Sequence, residues 1–521
     1  MFKSYLSDVK SGFLVFLIAL PLSIGISIAS GFPAISGIIT AVIGGCITPF
    51  LGSSKLTIKG PAAGLITIVL ASTLELGNGD LVLGYKRTLA VIFMASILQM
   101  IFSFTKIVNS SISISKSIVH GMMAAIGIII ISKQVYVLFG YGASKYNFTQ
   151  TIIHLKDILA NPNPVIFLIG FFALFTIFLY NKINLKYFKI IPAQILIIAI
   201  VILFSFYFHF SEGWSYSLFN HQYLIDKKYL VNIPNDLSNI ISFPDFSIIL
   251  NLSSIKYIAM LAIVGTIEST LTVLAIDSID PKKNRSDLNK DLFALSCGNL
   301  ISSILGGLPM ISEVVRSKAN VDNGAKSKYG NFFHGIFLLI FTIGFSKYLN
   351  MIPLSALAAI LIYVGLRLAS VSEFYHIGSL GRDQLIIFLS TILAILLTDL
   401  LTGIFIGIVI KTFIYFIIGG NFKSIFLAKI STKTFQNQSV IKMSGDANYI
   451  SILRIKNCIE KIPSPNSIKI DLKNCNIIDH TFLVGINLIE KTRNNKKIEI
   501  TNSCEMRSLS NHEFSTKIKI S

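Results

Sequence analysis

Charge is scarce in this chain. Only 14% of its 521 residues are Asp, Glu, Lys or Arg, whereas 53% are hydrophobic and the mean hydropathy is +0.70. A soluble domain carries about 25% charge, so the shortage points to an integral membrane protein. Acidic residues are scarcer still, 26 against 45 Lys and Arg, which gives a net charge of +19. That excess does not read as a nucleic-acid footprint, because the basic residues fall mostly in short loops between apolar runs and no aromatic-rich basic surface accompanies them. The five cysteines, Cys46, Cys297, Cys458, Cys475 and Cys504, are scattered singly. Their spacing argues against a disulfide framework or a zinc site. Eight histidines show no HExxH-like spacing and no cysteine partner, so the chain does not read as an enzyme and no cofactor is expected. His120 and His334, at the starts of apolar segments, are expected to be helix-end residues.

Long hydrophobic runs fill the space left by charge. "SGFLVFLIALPLSIGISIAS" (11–30), "NPVIFLIGFFALFTIFLY" (163–180) and "IPAQILIIAIVILFSFYF" (191–208) each approach the roughly 20 residues that cross a hydrocarbon core as helix. The first is long enough to be a span and lacks a cleavage pattern, so it does not read as a signal peptide. Hydropathy predicts about fourteen spans. They lie near 11–30, 33–52, 61–76, 88–106, 117–139, 163–181, 191–210, 255–277, 287–307, 314–325, 330–348, 352–370, 384–400 and 401–419. The basic loops "NKINLKYFK" (181–189), "PKKNRSDLNK" (281–290) and "AKSKYG" (325–330) are then cytoplasmic if the N-terminus is. The expectation is a multi-pass protein of a bacterial inner membrane with both termini inside. Residues 1–420 would form the membrane domain, with repeats at about 11–210 and 255–420, and 435–521 a small cytoplasmic α/β domain of ordinary polarity.

Two predicted spans, the third and the tenth, are short, and each follows a Gly/Pro break: "KGPAAG" (59–64) and "GGLPMISEVVR" (306–316). Interrupted segments at matching places in two halves point to an inverted-repeat transporter with a site at the midplane. A non-helical break in lipid is tolerated only when buried in protein or lining a wet cavity. "KLTIKG" therefore reads as an extended strand and Pro61 as the first residue of a half-helix, where its missing N–H costs nothing. The amides of Ala62, Ala63 and Gly64 would form an anion site at that helix N-terminus. In the second half, "LPMIS" is the extended piece and a half-helix carrying Arg316 starts around Glu313 to Val315.

At these residues the sequence resembles the SulP (sulfate permease) family of inorganic anion transporters. The matching stretches are "GFLVFLIALPLSIGISIASGFPAISGIITAVIGG" (12–45), "GPAAGL" (60–65), "VHGMMAAIGI" (119–128), "IESTLTVLAIDSID" (267–280), "GNLISSILGGLPMISEVVRSKANVDNGAKSK" (298–328) and "IPLSALAAILIYVG" (352–365). The resemblance implies an all-α membrane fold of seven plus seven spans, with a core (spans 1–4 and 8–11) moving like an elevator against a gate (5–7 and 12–14). It also implies a homodimer. Gly60, Pro61, Ala62 and Ala63, with Val314, Val315 and Arg316, match the segments that cradle the anion. Glu268 matches an acidic residue linked to coupling. The tail, with "IDLKNCNIIDHTFLVGI" (469–486), resembles a STAS domain; His480 stands where related domains carry a phosphorylatable serine, and Thr481 follows it as a regulatory candidate toward a cytoplasmic partner.

Glu268 also stands out physically, since a carboxylate left charged in hydrocarbon costs several kcal/mol. It should be protonated, paired with Arg316, or bound to Na+ with Thr266, Thr270 or Thr272. Two residues depart from the family pattern: Lys59 where a small polar residue is common, and Glu313 where glycine is. The expectation is that they pair with each other across the site, because an unpaired charge there is expensive. The functions in view are a sulfate or bicarbonate transporter coupled to Na+ or H+, a nucleobase or dicarboxylate permease on the same fold, and an uncoupled anion channel.

Overall fold

The computed structural model describes residues 2–105, 108, 115–142, 148–160, 162–182, 192–218, 221–233, 241–421, 424, 428–434, 438–462, 467–492, 498–501 and 506–519. Most of the basic loop 181–189 and Cys504 lie outside these. The helices are α1 (Phe2–Ala29), α2 (Ala34–Cys46), α3 (Thr48–Leu51), α4 (Ile66–Gly77), α5 (Leu81–Thr105), α6 (Lys116–Leu138), α7 (Phe148–Ala160), α8 (Pro164–Lys182) and α9 (Ala193–Tyr207). They continue as α10 (Leu252–Ile279), α11 (Leu288–Ile304), α12 (Val314–Asp322), α13 (Tyr329–Leu349), α14 (Leu354–Leu368), α15 (Val371–Leu380), α16 (Arg382–Leu397) and α17 (Leu400–Ile417).

Every hydropathic segment of the sequence falls on a helix, but not every such helix is span-length. Among the described residues, eight helices are long and apolar enough to cross a membrane, or nine if the bent pair α7 and α8 is one span. The two half-helices are short for a physical reason: at 1.5 Å per residue the 12 residues of α4 and 9 of α12 reach only about halfway through a ~30 Å core. The amphipathic α7 and the hairpin β2 (Trp214–Leu218) with β3 (His221–Ile225) had no hydropathy signal.

The chain divides into two compact units. The first comprises 1–108, 126–276 and 286–368, and the second 109–125, 277–285 and 369–521. In the first, α1, α2 and α13 pack through small residues: a β-carbon on Gly45 would stand 2.6 Å from Gly335 Cα, so only glycine lets these backbones meet. Two strands complete this unit, β1 (Ile58–Pro61) and β4 (Met310–Glu313). They pair antiparallel, with Ile58 opposite Glu313, Lys59 opposite Ser312, Gly60 opposite Ile311 and Pro61 opposite Met310. This buried ribbon satisfies the backbone that the two breaks free from helix.

In the second unit a six-stranded sheet follows α17: β5 (Lys429–Thr434), β6 (Gln438–Ala447), β7 (Ser467–Ile478), β8 (Ile498–Thr501), β9 (Met506–Ser508) and β10 (Lys517–Lys519). Strand β7 runs parallel to β6 and β8 and antiparallel to β10. Helices α18 (Ser451–Glu460) and α19 (His480–Thr492) contribute Ile452, Ile455 and Phe482 to a core with Ile441, Ile470 and Leu472 from the strands.

Candidate functional site

The β1–β4 ribbon sets every position in the site. Pro61 ends β1 rather than opening a helix. The chain then turns through a 3-10 segment, Ala63–Leu65, into α4. Pairing continues one residue beyond the strand, where the Ala62 N–H donates to the Pro309 carbonyl at 3.3 Å. The Ala62 amide is therefore spent on the ribbon and unavailable to an anion. Next in the chain, the Ala63 N–H donates to Glu313 Oε1 at 3.4 Å. Glu313 is itself the N-cap residue of α12, so one carboxylate links the starts of both half-helices.

The expected Lys59–Glu313 pair does not form. Directly opposed residues of an antiparallel ribbon share a face and alternate along the strand, so Lys59, opposite Ser312, lies on the other face from Glu313. Lys59 Nζ instead reaches Asp291 Oδ1 on α11 at 2.9 Å and Thr57 Oγ1 at 3.2 Å, and both side chains of the ion pair are only 2% exposed. Asp291 also accepts from the Ser54 N–H at 3.1 Å. The sequence contained a signal for this pair, a lone carboxylate inside the apolar stretch "DLFALSCGNLISSI", which needs a cation partner in a low-dielectric interior.

Arg316 is the reverse case. It is 1% exposed, and among the described residues none is a hydrogen-bond partner of Nε, Nη1 or Nη2. The guanidinium lies beside the break: a β-carbon on Gly60 would stand 2.5 Å from Nη1, so Gly60 leaves the room it occupies. The Glu268–Arg316 pair considered from sequence is therefore absent. The carboxylate of Glu268 packs over Gly64, where a β-carbon would overlap both its oxygens, and its Oε2 has no hydrogen-bond partner among the described residues. Glu268 and Glu313 thus flank the same turn, one at Gly64 and one at Ala63.

The threonines assigned to Glu268 separate. Thr266 and Thr270 lie two residues from it, roughly 200° around a helix of 3.6 residues per turn. Their hydroxyls donate to the carbonyls of Ala262 at 2.6 Å and Thr266 at 2.7 Å. Thr272, four residues on, shares the Glu268 face. Val314 and Val315 expose their side chains (42% and 37%), so what they offer the site is the first-turn backbone of α12.

Several supporting residues had no sequence signal. Asn299 brackets Met310 like an extra strand, accepting its N–H at 2.6 Å and donating to its carbonyl at 3.2 Å, and is braced by Gln99. Ser269 on α10 accepts from the Ser312 N–H at 3.2 Å and donates to the Ser312 hydroxyl at 3.0 Å. His334 is not a helix-end residue. It is fully buried within α13, close enough to Arg316 for their charges to interact, and neither ring nitrogen has a hydrogen-bond partner among the described residues.

In the second unit the regulatory candidates are enclosed. Lys411 on α17 contacts Asp479 Oδ2 at 3.0 Å and donates to Thr481 Oγ1 at 2.6 Å, the Tyr415 hydroxyl donates to Asp446, and Thr516 donates to Asp383 at 2.8 Å. Thr481 is buried, which removes it as an accessible phosphorylation site in the folded protein. His480 is buried with Nδ1 2.7 Å from the Phe514 carbonyl, and burial, outweighing that hydrogen bond, holds its imidazole below the ordinary value of 6.5. The unfolded chain then binds the proton more readily. The stability contributed by neutral His480 is present above pH 6.5 and is lost as pH falls through the folded value. Thermal unfolding followed across this window is expected to show a decline that His480→Gln flattens; parallel curves would contradict it.

A mostly helical membrane protein whose two interrupted segments re-pair as a buried ribbon has the fold of a transporter. The sequence profile of the sulfate permease family matches residues 5–391. The chain belongs to that family. It is 24% identical to YvdB of Bacillus subtilis over 76% of this chain and 71% of that protein. It is also 24% identical to the bicarbonate transporter BicA of Picosynechococcus sp., over 76% and 68%. Among solved structures, the transmembrane domain of a cyanobacterium bicarbonate transporter BicA aligns with a TM-score of 0.66 at 21% identity, covering 78% of this chain and 98% of that one. The murine Solute Carrier 26 family member A9 anion transporter aligns at 0.69 and 16%, covering 95% and 85%.

Proposed function

We propose that this protein is a secondary active transporter of a small inorganic oxyanion, sulfate or bicarbonate, driven by Na+ or H+. The observation that carries the reading is Arg316. A guanidinium this buried, with no hydrogen-bond partner among the described residues, is costly unless a ligand completes it, and its planar donors suit an oxyanion. The relatives named for bicarbonate and anion transport agree with that chemistry.

On this reading the fourteen segments form a seven-plus-seven inverted repeat that works as an elevator, in a bacterial inner membrane with both termini cytoplasmic. The protein would be a homodimer, with residues 435–521 as a STAS-like domain open to a cytoplasmic partner. Glu268, on α10 against the α4 turn, is the coupling residue. Uptake of labelled sulfate and of labelled bicarbonate into proteoliposomes, under an imposed Na+ or H+ gradient, tests the assignment. One anion is expected to accumulate with one gradient, and Glu268→Gln is expected to abolish accumulation. If neither anion moves, the assignment fails.

A second reading has one observation in its favour. Glu268 and Glu313 flank the same turn, as two carboxylates accepting N–H groups from a neutral nucleobase would. Uptake of uracil in place of both anions would establish it.

A further inference from the structure

The site holds one carboxylate more than its cation balances. Glu268, Glu313 and Arg316 sum to −1 when ionised, and Lys59 does not correct this because Asp291 neutralises it on the other face of the ribbon. An anion entering would take the local charge to −2 for bicarbonate or −3 for sulfate, and like charges sharing one desolvated site cannot all persist. Glu313 also holds a group the anion needs, since its Oε1 takes the Ala63 N–H at the first turn leading into α4.

Among the described residues, the charged and titratable groups around Glu313 are few. From its own helix Arg316 attracts it, and from α10 Glu268 is near enough to repel it. From the turn before α4 comes only the Ala63 amide. His334 on α13 faces Arg316, and Lys59 with Asp291 lies behind the ribbon. Glu313 is half-buried, which leaves it open to a proton from water.

Resting on the transport reading above, we propose that Glu313 is a proton-carrying ligand of the transported anion. A proton from solution binds its carboxylate, the Ala63 N–H is released to the anion, and the new O–H of Glu313 donates a hydrogen bond to it. The proton leaves with the anion on the opposite side, so no charge or atom is unaccounted for. Glu313 thus adds one proton per anion to the cation coupled at Glu268, and the loaded site moves only when both are bound. A glycine at this position, the residue expected from the family pattern, could not do so.

The test uses the full chain in liposomes clamped at zero potential, labelled sulfate and labelled bicarbonate at fixed anion concentration as probes, and a trapped pH dye counting protons. At alkaline pH, Glu313→Gln is expected to bind the transported anion more tightly than wild type by roughly 5- to 150-fold, the usual size of a coupling between two ligands. The two proteins should converge at acidic pH, where wild-type Glu313 is protonated. Proton entry per anion should fall by about one in the variant, as linkage requires. Glu313→Gly should behave likewise, which guards against a misfolded glutamine variant. The inference is overturned if both variants keep the wild-type pH dependence and proton count, or if His334→Asn removes them instead. If wild type moves neither anion, the transport reading itself falls, and this one with it.

Discussion

Arg316→Met is expected to lower anion affinity by about 2–5 kcal/mol, the range for truncating one partner of a buried charge pair, or roughly 30- to 4,000-fold. The same substitution should leave the folded protein as stable as wild type or more so. These opposite outcomes follow from a guanidinium that hydrogen-bonds no protein group among the described residues: removing its three nitrogens orphans no hydrogen-bond partner and takes away a buried charge, and the carboxylate of Glu313, which loses its attraction to Arg316, can take up a proton in exchange. Arg316→Lys should restore little, because a point charge on a flexible stem does not reproduce a planar fork. Anion-dependent thermal stabilisation in detergent reads both quantities at once. Loss of the anion shift with an unchanged or raised midpoint is the expected pattern; a lowered midpoint would mean that Arg316 is a structural residue.

The second large effect concerns Lys59 and Asp291. Replacing either alone, as Lys59→Met or Asp291→Leu, leaves the other charge buried and is expected to cost about 3–5 kcal/mol of stability. The double replacement should recover most of that loss, because apolar groups of similar volume often substitute for a buried pair without penalty. Yield and thermal midpoint of the purified protein measure the cycle. Additive losses in the double variant would show that the two residues do not act as a pair. A Lys59→Glu, Glu313→Lys exchange should give no rescue, since those residues lie on opposite faces of the ribbon.

These two cases also mark where the sequence was legible. Hydropathy located the helices, and the paired Gly/Pro breaks located the extended pieces, because both signals are carried by residues local in the chain. The partner of Lys59 was not local information. It depended on strand register, where one step reverses the face, and nothing in "KLTIKG" or "LPMIS" fixes the register. Likewise Glu268 was found from its charge, but Thr266 and Thr270 were grouped with it by proximity in sequence, whereas helical rotation carries them away. Thr481 reads as a regulatory candidate in the sequence, but the fold buries it with Lys411 against it. Asn299 could not be found at all from one sequence, and His334 reads there only as a helix-end residue, since a polar residue within an apolar helix declares a need for a partner without naming it.

The ribbon has a consequence for how the molecule is made. Ala63 and Glu313 are 250 residues apart, and both edges they belong to are incomplete until they meet. During synthesis the first break must wait, its backbone groups unsatisfied in the bilayer or shielded by other means, until the second half of the chain has been inserted. Chains stopped before Met310 would therefore present an open strand at membrane depth, a marker that quality-control proteases could use to separate unfinished molecules from finished ones.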